Sequence, residues 1–171
     1  MTSKTKIIYS ANFNKAFQSL ILLEGAYSND LLDNGGETKY GITKKQYPHL
    51  NIKDLSLDQA KEIYYQDYWN INQYNKICSA KIAEKIFHTT VNTGVYQSHL
   101  ILQRALNAVG HRSLVEDGIL GNMTFDAVNK SQPRCLLPAL RSELAGFYRL
   151  IIAKRPSQSK FMNGWLKRAY H

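Results

Sequence analysis

Most of this 171-residue chain sets apolar side chains at helical spacing, and one stretch does not. That contrast restricts the fold more than any single motif. Phe13, Phe17, Leu20 and Ile21 follow Asn12, a good N-cap residue, and precede Gly25, a good stop; they predict a helix over about 13–24. Ser56 with Gln59 forms a capping box ahead of a helix reaching about Trp69. Ile82, Ile86 and Phe87 mark a helix ended by Gly94, and Leu102, Leu106 and Val109 mark another ended by Gly110. The segment 115–129 reads as a Gly-punctuated turn and a short helix. Leu136, Leu140, Leu144 and Phe147 carry a longer helix towards Lys154, closed by Pro156, and Phe161, Trp165 and Leu166 a last one. Six or seven helices make an all-α chain with at most a small β excursion.

The exception is residues 25–43, dense in Gly, Asn and Asp and without a helical period. It reads as an ordered polar loop, with a short hairpin around Asn34-Gly35-Gly36. No Ser/Gly-rich linker and no fixed-period repeat divides the chain, so one compact domain over 1–171 is expected. No apolar run approaches the about 20 residues that span a bilayer. Polar Asn12, Asn14, Lys15 and Gln18 interrupt any secretory h-region, so the expected origin is a cytoplasm, without a signal peptide. A monomer is the expected state.

The formal charge of +9 is the abnormal number in an otherwise average composition. Residues 1–94 carry 11 lysines, no arginine and nine acids, a net of +2. Residues 134–171 carry eight basic groups against Glu143, which accounts for the +7 of the second half. Such a face either is simply solvated or docks a polyanion. The candidates are nucleic acid and the acidic polymers of a bacterial envelope. No zinc finger, RNP-type strand or basic recognition helix accompanies it, so nucleic acid is not expected. Cys78 and Cys135 lie in no CxxC pair and read as small buried apolar side chains. The five histidines show no HxxxH or HExxH spacing, so no metal site and no cofactor is expected.

Polar loops held between firm helices are where sites are built. Glu24 ends an apolar helical turn, Leu20 to Leu23. The negative end of the helix and apolar neighbours both disfavour its carboxylate form, as a general acid for glycoside cleavage requires. Asp33, or Asp30, lies on the more solvated loop and suits the ionised partner. Thr38 offers a hydroxyl to a water or a sugar, and Tyr27, Asn29 and Tyr40 are candidate cleft contacts. The aspartates also read as ordinary turn formers.

The order of motifs then points to a family. EGAYSND (24–30) followed by GGETKYGIT (35–43) resembles the signature of glycoside hydrolase family 108, N-acetylmuramidases of phage endolysin and secretion-associated type. The resemblance runs on through YYQDYW (64–69) and FHTTVNTG (87–94). LQRALNAVG (102–110), DGILGNMTFDAVN (117–129) and GWLKRAY (164–170) resemble the peptidoglycan-binding region that accompanies it. It implies a lysozyme-like helical fold, with a catalytic region over 13–94 and a peptidoglycan-binding region over 95–171 that does not fold by itself. It implies Glu24 as the catalytic acid cleaving the β-1,4 bond between N-acetylmuramic acid and N-acetylglucosamine, with Asp33 or Asp30 and Thr38 assisting. Trp69 and Asn92 are candidate cleft walls, and Trp69 reads also as a core residue. Ala26 stands where the motif has glycine, and His88 where it has aspartate. Peptidoglycan is the implied partner, with other anionic envelope polymers reached through the basic C-terminal region. Such an enzyme is made in the cytoplasm and reaches the wall by a holin-like or secretion-associated route. A non-catalytic binding module is the competing class.

Overall fold

The computed structural model describes residues 7–24, 36–111 and 114–171, without the side chains of Leu23 and Glu24. Among these residues it is mostly α, as the periodicity predicts, with one two-stranded ladder. The chain divides into two compact units, Met1–Asn75 and Lys76–His171.

The first unit begins with α1 (Ala11–Glu24). Ser10, rather than Asn12, caps it: the Phe13 amide donates to Ser10 Oγ at 3.2 Å, and the Asn14 amide to Ser10 O. Phe13, Ala16, Phe17 and Leu20 are buried, the i, i+3, i+4, i+7 face that the spacing defines. Strands β1 (Thr38–Lys39) and β2 (Ile42–Thr43) pair antiparallel, Thr38 opposite Thr43. Their two-residue turn is Tyr40-Gly41, with φ of 54° and 78°; two positive values define the type I′ turn that suits strand twist. The ladder therefore turns at 40–41, while Asn34 and Gly35 of the expected hairpin lie outside the described residues. A tyrosine with positive φ gives no sequence signal for this turn.

α2 (Leu57–Tyr64) starts at the predicted capping box: the Gln59 amide donates to Ser56 Oγ and the Ser56 amide to Gln59 Oε1. It widens into a π-helical turn over Tyr65–Asn70. Trp69 there is 1% exposed, its ring 5.4 Å from that of Phe13 and 5.9 Å from that of Tyr74. Tyr9, Phe13 and Tyr65 extend this aromatic core edge to face.

In the second unit α3 (Ala80–Thr93), α4 (Val95–Ala108), α5 (Asn122–Lys130), α6 (Pro133–Lys154) and α7 (Met162–Tyr170) follow in order. A 3₁₀ segment over Pro156–Phe161 leads into α7. α6 packs against α3, α4 and α7, and Leu136, Leu140 and Leu144 supply its buried stripe. α3 joins this core through Ile82, Ala83, Ile86 and Phe87. At the α3–α4 corner Gly94 has φ of 83°, and Thr90 and Ser98 bring their hydroxyls to 2.7 Å. Trp165 stacks between Tyr148 and Phe161 at centroid distances of 5.2 and 5.7 Å. The two cysteines are free and exposed, not buried as their residue type suggests. Cys135 stands beside Leu136 in the first turn of α6, off the inward stripe; Cys78 sits between a 3₁₀ turn and α3.

Candidate functional site

Glu24 is the last residue of α1, so the buried face of that helix fixes where its backbone stands. Tyr27, Asn29, Asp30 and Asp33, with Ala26, lie outside the described residues. Gly36 directly precedes the hairpin.

The hairpin brings Thr38 and Tyr40 together. Thr38 Oγ1 donates to Gly36 O at 3.1 Å, which commits its proton and leaves its oxygen as an acceptor. Tyr40 O accepts from the buried Tyr64 hydroxyl at 2.9 Å, so the start of the YYQDYW motif anchors the turn. Lys39 donates to Lys53 O at 2.8 Å while its ammonium lies 5.5 Å from the Tyr40 ring centre. These contacts hold a strained, positive-φ tyrosine in one orientation.

Of the two readings the sequence leaves open for Trp69, cleft wall or core, the structure shows the core residue of the first unit and not the cleft wall. At 1% exposure its ring is covered by Phe13 and Tyr74 and offers no face to a sugar. The neighbouring carboxylate is the accessible group: Asp67, exposed on the π-helical turn, accepts from the Tyr47 hydroxyl at 2.7 Å. Burial, then the bond to Asp67, pushes the Tyr47 hydroxyl far above its ordinary range. Burial also raises Tyr68. This phenol–carboxylate pair is not singled out by spacing, and the place of Asp67 in YYQDYW is its one sequence signal.

Asn92 belongs to the second unit, exposed in the last turn of α3. Its Nδ2 donates to His88 O at 3.0 Å, and its Oδ1 accepts from Arg168 Nη1 of α7 at 2.6 Å. Both ends of the amide are therefore held, and the brace comes from the GWLKRAY segment. A second link joins the same helices. The Lys85 ammonium donates to Arg168 O and Ala169 O at 2.8 and 2.6 Å, capping the carbonyl end of α7.

The DGILG turn is built by α4. Gln103 donates to Asp117 Oδ1 at 2.7 Å and accepts from the Gly118 amide at 2.8 Å. The Ile119 amide also donates to Asp117 Oδ1, at 2.9 Å. The bonds from Gln103 and from Ile119 hold the Asp117 carboxyl below its ordinary value. His99 Nδ1 meets Gly118 O at 3.1 Å, and burial lowers that imidazole, the Gly118 bond opposing. These motif residues fold the turn, set Gly118 against the Tyr96 ring and leave Ile119 and Met123 exposed. Among the described residues no three His, Cys, Asp or Glu side chains group as a metal site would need, and no helix is long and apolar enough to cross a membrane.

Residues 17–94 match the family model Glycosyl hydrolase 108, and residues 97–170 match the Predicted Peptidoglycan domain. No curated protein matches the chain. Among solved structures, the chain is similar to that of Brucella abortus SagA, with 23% identity over 92% of this chain and 88% of that one and a TM-score of 0.75. The likeness is one of fold, the mostly-α, lysozyme-like architecture.

Proposed function

We propose, for a chain that belongs to the glycosyl hydrolase 108 family over residues 17–94 and carries a peptidoglycan domain over 97–170, that Glu24 is the general acid that cleaves a single type of bond. The bond is the β-1,4 linkage between N-acetylmuramic acid and N-acetylglucosamine. The chain is a glycoside hydrolase whose partner is peptidoglycan and whose place of action is the cell wall.

The observation that carries the finer reading is the position of Glu24. α1 is anchored by Phe13, Phe17 and Leu20, and Glu24 closes its last turn, where the helix is negative. Protonation of the glycosidic oxygen from there needs a partner for the oxocarbenium-like transition state. Asp33 or Asp30 takes that role in this reading. Thr38, its own proton committed to Gly36 O, accepts from the water that completes hydrolysis. Tyr40, Tyr27 and Asn29 contact the glycan, as does Asn92 with its amide fixed by Arg168. Wall cleavage of this kind is bacteriolytic, the activity of an endolysin. The basic residues of 134–171 add adhesion to anionic envelope polymers.

One experiment tests it. Glu24→Gln abolishes the clearing of purified peptidoglycan while leaving sedimentation with it nearly intact, and that sedimentation weakens as salt is added. Mass spectrometry of the wild-type digest finds N-acetylmuramic acid at the new reducing ends. Full clearing by the variant refutes Glu24 as the acid, and N-acetylglucosamine at the reducing ends refutes the bond. The charge of 134–171 favours the second reading, a pure binding module, for which wild type and variant would release nothing alike.

A further inference from the structure

In the first unit the carboxylate of Asp67 has no part in the chemistry proposed above. It stands exposed on the π-helical turn Tyr65–Asn70, and turns of this kind are rare and frequently mark functional sites. The turn sends Trp69 into the core and leaves Gln66, Asp67 and Asn70 at the surface. Two tyrosine hydroxyls tie α2 and this turn to the hairpin of Thr38 and Tyr40. Tyr64 donates to Tyr40 O at 2.9 Å. The carbonyl of Thr43, the residue paired with Thr38, accepts from the Tyr47 amide at 3.1 Å, and the Tyr47 hydroxyl donates to Asp67 Oδ2 at 2.7 Å.

This arrangement fixes the carboxylate and leaves half of it open. Oδ2 is taken by Tyr47, while Oδ1 has no hydrogen-bond partner among the described residues. Burial, then the bond to Asp67, keeps the Tyr47 hydroxyl protonated at any working pH, so it remains a donor to Oδ2. Tyr47 and Tyr68 are half-buried, and the exposed His49 ring stands edge-on to that of Tyr47 at 6.2 Å. A carboxylate oxygen only accepts, so it takes an O–H or an acetamido N–H, and a half-open phenol ring suits the C–H face of a pyranose. The same charge disfavours a ligand that brings a carboxylate of its own.

We propose that Asp67, held by Tyr47, binds a neutral pyranose of the glycan strand, the N-acetylglucosamine residue and not the stem-bearing N-acetylmuramic acid. This rests on peptidoglycan being the substrate, as above. The glucosamine residue offers hydroxyls and one acetamido N–H to an acceptor. The muramic acid residue carries a stem with carboxylates, which the charge of Asp67 turns away. The π-helical turn thus joins the hairpin as a second element that contacts the sugar.

The test uses the full chain and measures binding. Calorimetry titrates the chain with the stem-free tetramer of N-acetylglucosamine, and amide NMR follows the same titration. Asp67→Asn is the main variant: it keeps an acceptor for Tyr47 and puts an amide NH₂ where the open oxygen stood. Asp67 is exposed, so the exchange leaves the core untouched. It is expected to weaken tetramer binding by about threefold to tenfold, the difference between a charge-assisted and a neutral bond. Tyr47→Phe, which frees the carboxylate to turn, is expected to weaken it by about twofold to threefold. Equal binding by the wild type and Asp67→Asn overturns the proposal, and so does no binding by the wild type. Amide shifts that spare residues 47–49 and 66–68, or displacement of the tetramer by a sugar-free stem peptide, overturn it too. Failure of the substrate reading is distinguishable: the wild-type chain then clears no peptidoglycan, whatever the tetramer affinities.

Discussion

The match to the peptidoglycan domain begins at residue 97, but the second unit begins at Lys76. A fragment starting at Val95 therefore omits α3, which the first family model covers and the second unit uses. Ile82, Ile86 and Phe87 are each at most 1% exposed. Burying such side chains contributes about 1.5–3 kcal/mol apiece, so losing the three forfeits roughly 5–9 kcal/mol. That is on the order of the whole stability of a native domain, about 5–15 kcal/mol. The fragment also loses Lys85 from the end of α7 and Asn92 from Arg168. We expect residues 76–171 to melt cooperatively by circular dichroism with a dispersed amide NMR spectrum, and residues 95–171 to do neither. A cooperative melt of 95–171 within about 5 °C of the longer fragment corresponds to about 1 kcal/mol or less and would refute the reasoning.

Two further outcomes follow from side chains in that unit. Because the folded-state value of Lys85 is lowered from 10.5 to about 8, the folded chain binds fewer protons than the unfolded chain between those values, and stability gains with rising pH across that window. Urea melts at pH 7 and pH 10 should show the wild type gaining on Lys85→Met as pH rises; a constant or falling difference contradicts the assignment. At Gly118 φ is 72°, and an added Cβ would stand 2.5 Å from the Tyr96 ring, so Gly118→Ala should destabilise by about 1–3 kcal/mol. A melting temperature unchanged by that substitution would count against the packing described at the DGILG turn.

The helices were legible because their apolar spacing is local. Phe13, Phe17 and Leu20, or Leu136, Leu140 and Leu144, state their buried face within two or three turns, and the Ser56–Gln59 box states a helix start. What stayed hidden depends on distance or on backbone sign. Tyr40 turns the hairpin with a positive φ that tyrosine does not advertise, so the turn falls several residues from the Gly-rich stretch that suggests it. Trp69 and a glycan-stacking tryptophan look alike in sequence, and only Phe13 and Tyr74 packed on it separate them. Cys135 differs from its neighbour Leu136 by one helical step, the difference between outside and inside. Of the candidate site, the place of Glu24 at a helix end could be read directly. The hold of Arg168 on Asn92, 76 residues apart, could not.

The π-helical turn at Tyr65–Asn70 has a consequence for how this chain can vary. A widened turn takes up one more residue than an α-helical turn and shifts the phase of whatever follows by about 100°. Trp69 meets Phe13 only in that shifted phase. Single substitutions at the exposed Gln66 leave the phase alone, whereas deleting Gln66 would return the segment to α geometry and swing Trp69 out of the core. In that segment the number of residues is under tighter constraint than their identity, so descendants of this chain should drift in letters there long before they change in length.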